Sequence, residues 1–232
     1  MKPIPGLFDK PPRPVRQATT PDGRTTDAPK VLIVGGVAGG ATAAARLRRL
    51  NEFAEIIIFE RTGYVSYANC GLPYYVGGVI TDKRDLTLQS PEGFAARYNV
   101  EVRVRSEVVR IDPAAHTVLV RDLESGREYT EDYDKLLLSP GARAVVPNVK
   151  GADGERVFTL RTVEDTLRVG ERAKAAGAER AVVVGGGFIG LEAAENLAKL
   201  GIKVTLLQRG KQLLPTLDAD MAVFIAEALA AG

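Results

Sequence analysis

The sequence has one cysteine, Cys70, and one histidine, His116, in 232 residues. A single cysteine excludes an internal disulfide and leaves two readings, an inert core residue or a reactive thiol. No His, Cys and Asp cluster has metal-site spacing, so no metal is expected. His116, in an alternating segment, reads as a surface residue. Net charge is scarce: 31 Lys and Arg against 29 Asp and Glu leave +2. The signs are interspersed, which gives no reason to expect nucleic acid or a membrane surface as partner. No apolar run approaches the ~20 residues of a membrane span. The opening MKPIPGLFDKPPRP lacks a hydrophobic signal core, the pattern of a cytoplasmic protein. What is present is an ordinary apolar content of 45%, enough to bury a core, in a length of one to two domains.

Residues 1–29 are rich in Pro, Thr, Arg and Asp without an apolar period, and are expected to be a disordered leader. Order is expected from Lys30. KVLIVG reads as a buried parallel strand, GGVAGGATAAARLRRL as a glycine turn and helix, and EIIIFE as a second buried strand. Residues 64–98 are irregular with short helices. VEVRVR, EVVRID, HTVLVRDL and REYTEDY alternate with period two, as half-exposed antiparallel strands do. KLLLSPG is a further buried strand. TVEDTLRVGERAKAAG reads as a helix capped by Thr162. RAVVVGGGFIGLEAAENLAKLGIKVTLLQR then repeats the first unit, and DADMAVFIAEALAAG reads as a terminal helix. The fold class expected is α/β: tandem Rossmann-like units with an inserted antiparallel β meander, divided as 30–145 and 146–232.

Each repeat is a candidate dinucleotide site, in which a glycine turn lets a pyrophosphate approach the N–H groups of a helix start. The first turn carries Gly35, Val37, Ala38, Gly39 and Gly40, with valine where the fingerprint usually has its middle glycine. Glu60, followed by Arg61, closes the next strand where an acid accepts hydrogen bonds from a ribose diol. The second turn, Gly185-Gly186-Gly187-Phe188-Ile189-Gly190, matches the full fingerprint. Its acid position holds Gln208 followed by Arg209, with Lys211 just beyond. Loss of the carboxylate removes repulsion of a 2′-phosphate, and Arg209 either pairs with that phosphate, favouring NADPH over NADH, or is a solvated charge.

Cys70 lies in GYVSYANCGLPYYVGG, with Gly71 and Pro73 after it. Proline is typical of a helix start, and a cysteine there is set up as a nucleophile by the exposed N–H groups. Ser66 and Asn69 add polar groups. Chemistry alone leaves the reactive and inert readings level.

From about Lys30 onward the chain resembles the FAD-dependent pyridine nucleotide-disulfide oxidoreductases. That family holds the coenzyme A-disulfide reductases together with NADH oxidases and peroxidases. The resemblance rests on IVGGVAGGATAAARLRRL, SYANCGLPY, YDKLLLSPGA, FTLRTVEDT and VVVGGGFIGLEAAENLAKLGIKVTLLQRGKQLLPTLDADM. It implies FAD in the first unit, with Ser139 and Gly141 in the turn leading to the second, and NADPH or NADH in the second unit. It implies that Cys70 is the redox centre. Phe188 holds the place of an aromatic gate over the flavin, or is a core aromatic. Ala38 stands where oxidases and peroxidases usually carry histidine, which favours the coenzyme A-disulfide reductase type. That type implies coenzyme A disulfide as substrate, with contacts at Thr42, Arg46, Arg49, Ser66 and Asn69; for Arg46 and Arg49 a solvated basic helix face is the alternative. The resemblance further implies a homodimer for the full-length protein and a C-terminal dimerisation domain beyond this chain. The alternatives to a coenzyme A-disulfide reductase are an NADH oxidase or peroxidase of the same family and a truncated, non-catalytic nucleotide-binding fragment.

Overall fold

The computed structural model describes residues 14–175 and 177–231. It opens on a hairpin, β1 (Gln17–Thr19) paired antiparallel with β2 (Thr25–Asp27). This corrects the expectation of a disordered leader for residues 14–29; residues 1–13 lie outside the described residues. The hairpin has little apolar content because its ties are polar. The Arg16 guanidinium meets Glu55 at 3.3 Å and Asp134 at 3.4 Å and also bonds Asp132. Asn51 donates to the Asp27 carbonyl at 2.8 Å.

Two compact units follow from the contacts. One comprises residues up to Tyr67 together with Thr87–Ala142; the other comprises Ala68–Leu86 and Arg143–Gly232. The first contains β3 (Lys30–Val34), α1 (Ala38–Leu50) and β4 (Glu55–Phe59). The short α2 (Leu72–Val76) comes next in the chain and belongs to the second unit. Back in the first unit are α3 (Pro91–Tyr98) and strands β5 (Glu101–Arg103), β6 (Ser106–Asp112), β7 (Thr117–Asp122), β8 (Glu128–Asp132) and β9 (Lys135–Leu138). The order β5-β4-β3-β9 makes a parallel sheet, and β6-β7-β8 an antiparallel one.

The continuous apolar runs of β3 and β4 are explained by burial of both faces. Val31, Ile33, Ile56 and Ile58 face Ala41 and Ala44 of α1 and Phe94 of α3. Leu32, Ile57 and Phe59 face Val118 and Val120 of the meander. VEVRVR departs from its expectation: β5 joins the parallel sheet instead of the meander. The α3 crossover delivers it there, and Val100 buries with Phe94.

Glu131 of β8 links the two sheets by bonding Lys30 Nζ and, at 2.5 Å, Arg103 Nη1. Burial pushes its carboxyl upward in pKa, but the two cations more than reverse this and hold it below 4.5. A depressed folded value means stability present above the unfolded pKa and lost as pH falls through the folded one. Glu131→Gln is therefore expected to cost roughly 1–3 kcal/mol at pH 7. In urea melts at a series of pH values, the gap between variant and wild type should close as pH falls below about 4.5. A gap constant with pH would show that the charge is not what matters.

The second unit contains α4 (Val163–Lys174), β10 (Arg180–Val184), α5 (Phe188–Lys199), β11 (Lys203–Leu207) and α6 (Ala219–Ala231). β10 and β11 pair in parallel. α2 packs on α4 and α5, where Val76 buries completely with Leu197 and Ile202. Any side chain at Gly77 would strike Asn196 of α5, whose Oδ1 would lie 2.2 Å from the added carbon. This packing groups residues 68–86 with the second unit, whereas the sequence reading drew one boundary at 145/146. The outer face of the strand pair stays open, with Val182 and Val184 61% and 71% exposed.

Candidate functional site

The first glycine turn is shaped by contacts that exclude side chains. Gly35 has φ +96°, and a Cβ there would lie 2.0 Å from the Ser139 carbonyl oxygen; one on Gly40 would lie 1.7 Å from the Gly35 oxygen. Ser139 thus lies against the turn, with its hydroxyl 2.4 Å from where a Gly39 Cβ would stand. Gly141 follows with φ +68°. The Gly36 N–H donates to Glu60 Oε2 at 2.8 Å, and Glu60 Oε1 accepts from the Thr62 N–H and hydroxyl. Glu60 is buried, so these bonds fix its carboxylate at the strand end. Arg61 is exposed, 3.6 Å from Glu107.

Helix α1 starts at Val37 with no side-chain cap and no acid in its first turn. The other dinucleotide-type helix, α5, starts the same way at Gly187. By contrast, Ser90 caps α3 and Thr162 caps α4. The two helices behind glycine turns, like the short α2, have no side-chain cap; behind a glycine turn this leaves the first N–H groups to a ligand, which is what a pyrophosphate needs. The residues present therefore fit a dinucleotide at each turn.

Along α1, Thr42, Arg46 and Arg49 are exposed and share one face by their spacing. Arg48 behaves differently: its guanidinium is spent on the carbonyls of Asn51, Glu52, Ala54, Tyr98 and Asn99. Ser66 has φ +48° and donates its N–H to the Gly36 carbonyl at 2.9 Å.

The second turn repeats the first. Gly185 has φ +115° and donates to the Leu207 carbonyl at 2.8 Å, as Gly35 does to Phe59. A Cβ on Gly190 would lie 1.9 Å from the Gly185 oxygen. The Gly186 N–H donates to Gln208 Oε1 at 2.9 Å, the counterpart of the Gly36–Glu60 bond, with an amide in place of the acid. Gln208 Nε2 continues to the Gln212 carbonyl at 3.1 Å. Arg209 and Lys211 are exposed. Phe188 is 60% exposed and Ile189 53%, so Phe188 is not a core aromatic in this chain.

Cys70 stands in a 3-10 turn, Asn69–Gly71, that runs straight into α2 with Pro73 at its start. Its thiol is exposed, which removes the inert core reading. Asn69 Oδ1 accepts from Arg161 Nη1 at 3.0 Å. Gly71 is close under Ile80 and Leu86, each 3.1 Å from a Cβ built there. The predicted residues thus fall into two groups. Gly35, Val37, Ala38, Gly39, Gly40, Glu60 and Ser139 converge on one turn, with Gly141 two residues after Ser139. Gly185, Gly187, Phe188, Ile189, Gly190, Gln208 and Arg209 surround the other, in the unit that also carries Asn69 and Cys70. Gly36, Thr62 and Arg161 were not singled out in the sequence. Gly36 was legible as the counterpart of Gly186; Thr62 and Arg161 act through contacts that no motif records.

A family model for pyridine nucleotide-disulphide oxidoreductases matches residues 29–232. The chain belongs to this family. It is similar to a coenzyme A disulfide reductase of Staphylococcus aureus (strain Newman), 42% identical over 193 residues, covering 83% of this chain and 43% of the relative. It also superposes on the reduced CoADR-RHD of Bacillus anthracis with TM-score 0.86 and 45% identity, over 89% of this chain and 37% of that one. On an NAD-dependent persulfide reductase from A. fulgidus the TM-score is 0.83 at 36% identity, covering 87% and 38%. The chain therefore spans less than half the length of each of these three relatives. Members of the pyridine nucleotide-disulphide oxidoreductases use FAD and a nicotinamide dinucleotide, in keeping with two glycine turns of matching geometry. Among the described residues no helix is long and apolar enough to cross a membrane, and no group of three or more His, Cys, Asp or Glu is placed to hold a metal ion.

Proposed function

We propose that the complete protein is an FAD-dependent, NADPH-preferring coenzyme A-disulfide reductase working through Cys70 alone. The observation that carries this reading is the exposed lone thiol on the SYANCGLPY turn, in a chain with two uncapped glycine-turn helices. The relatives' names support the substrate. In the first unit Gly35, Gly39, Gly40 and the N–H groups of Ala38 and its neighbours hold the FAD pyrophosphate, Glu60 takes the ribose, and Arg61, Ser139 and Gly141 border the site. In the second, Gly185, Gly187, Ile189 and Gly190 hold NADPH, with Gln208 and Arg209 at its ribose and Phe188 as the aromatic gate. Arg46 and Arg49, with Thr42, supply charge and hydrogen bonds for coenzyme A phosphates; Ser66 and Asn69 are the remaining substrate contacts. A homodimer is the proposed state of the full-length protein, in the cytoplasm.

FAD held in the first unit would supply a two-electron relay from a nicotinamide hydride to sulfur. The Cys70 thiolate attacks one sulfur of coenzyme A disulfide, forming a mixed disulfide and releasing one coenzyme A thiolate. The electron pair then cleaves the mixed disulfide, regenerating the Cys70 thiolate and releasing the second coenzyme A. One NADPH and one proton are consumed for two thiols formed. Ala38 offers no imidazole for peroxide chemistry, which separates this reading from an NADH peroxidase.

The NADPH preference is tested directly. In the full-length enzyme kcat/KM for NADPH should exceed that for NADH by about tenfold or more, about 1.4 kcal/mol of differential binding. Arg209→Glu should reverse the preference by returning a carboxylate that repels the 2′-phosphate. A tenfold preference for NADH in the unaltered enzyme would contradict the assignment of Gln208 and Arg209.

A further inference from the structure

Arg161 lies in FTLRT, a segment to which neither dinucleotide site nor the proposed chemistry gives a role. Its guanidinium donates to Asn69 Oδ1 at 3.0 Å, across 92 residues of chain. A guanidinium has donors only, so the amide atom turned to it must be the oxygen. The orientation of the Asn69 amide is therefore set by Arg161, and the group left to donate is its NH2.

The root of Arg161 is fixed as well. Its backbone N–H donates to Asp165 Oδ2 at 3.0 Å, and the same oxygen accepts from the Thr159 hydroxyl at 3.1 Å and the Thr162 N–H at 3.3 Å. Asp165 is buried, its N–H returns to the Thr162 hydroxyl at 3.1 Å, and its other oxygen accepts from Arg168 at 2.6 Å. The capping box of α4 thus holds one end of Arg161, and Asn69 holds the other. α2, which continues directly from the Cys70 turn, is seated on the same helix α4.

We propose that Arg161 is a positioning residue: it orients the Asn69 amide so that an N–H donor, rather than an oxygen, is presented to the disulfide substrate next to the reactive sulfur. The proposal rests on the reading of Cys70 as the redox thiol. Its chemical consequence is selectivity for a substrate with an acceptor close to the disulfide, such as the sulfur itself or an amide carbonyl. Without Arg161 the amide turns freely, and half of its orientations place oxygen against that acceptor.

The test uses full-length holoenzyme, with flavin reduction by NADPH followed by stopped flow on every variant as the reference half-reaction. Asn69→Asp keeps an acceptor for Arg161 but removes the donor; it should melt like wild type and lose about tenfold in kcat/KM for coenzyme A disulfide. Arg161→Met should lose a similar factor, and Arg161→Lys should recover part of it. In the Arg161→Met/Asn69→Ala double variant the loss should not exceed the larger single loss, because both changes remove one oriented donor. Wild-type kcat/KM in Asn69→Asp, or losses that multiply in the double variant, would overturn the proposal. Cys70→Ser run alongside separates the two claims. If it keeps full disulfide reductase activity, the thiol reading fails and this role with it. If it is inactive while Arg161→Met is unaffected, only the positioning role fails.

Discussion

Cys70→Ser in the full-length enzyme is expected to abolish coenzyme A-disulfide reduction while leaving flavin bound. The hydroxyl has nearly the shape of the thiol but neither forms a disulfide nor leaves as a stable anion at neutral pH. A serine oxygen cannot take the place of the sulfur in a mixed disulfide, so the loss should be about a thousandfold or more, about 4 kcal/mol of transition-state stabilisation. Flavin binding should persist because Cys70 is exposed and has no part in the turn formed by Gly35, Gly40 and Glu60. Reduction of the flavin by NADPH should also persist, because it precedes any sulfur chemistry. Full disulfide reductase activity in Cys70→Ser would make the cysteine structural.

The second large effect is expected at Gly40. An alanine there places Cβ 1.7 Å from the Gly35 backbone oxygen and 3.0 Å from Ile33 Cγ2. Neither α1 nor the turn can move without disturbing strands β3 and β4, which are buried on both faces. The cost should reach about 3 kcal/mol or more. Gly40→Ala is therefore expected to emerge colourless, lacking FAD absorbance, with a melting temperature many degrees lower. Gly187→Ala is the informative contrast. A Cβ at Gly187 meets nothing within 4 Å, so that variant should melt like wild type and keep its flavin while binding NADPH more weakly. Normal flavin content in Gly40→Ala would mean that the turn is not the flavin site.

Much of this was legible because it is local. The spacing of Gly35 and Gly40, and of Gly185 and Gly190, is dictated by how a strand turns into a helix packed against it; the sterics are confined to a few residues. Runs such as KVLIV and EIIIF announce strands buried on both faces. Thr162 with Asp165 announces a helix start, found as a capping box. What escaped depends on distant partners. The hairpin at 17–27 is tied by Arg16 to carboxylates of Glu55, Asp132 and Asp134, the first two 39 and 116 residues away. β5 has the alternation of an exposed strand, yet α3 directs it to the parallel sheet. His116 has no strand conformation at all: it occupies a left-handed turn position, φ +56°, and stacks 5.4 Å from the Tyr133 ring. The Asn69 amide was legible as a polar neighbour of the thiol, but Arg161, which orients it, has no local signature.

The central claim is that one thiol carries the chemistry as a mixed disulfide. Intact mass spectrometry of the air-oxidised full-length enzyme, with peptide mapping, tests it most directly. The account predicts a single coenzyme A adduct on Cys70, absent from Cys70→Ser and removed by one equivalent of NADPH per active site. A Cys70 that instead accumulates as sulfenic acid, trapped by dimedone, in an enzyme whose turnover requires oxygen or peroxide, would contradict it.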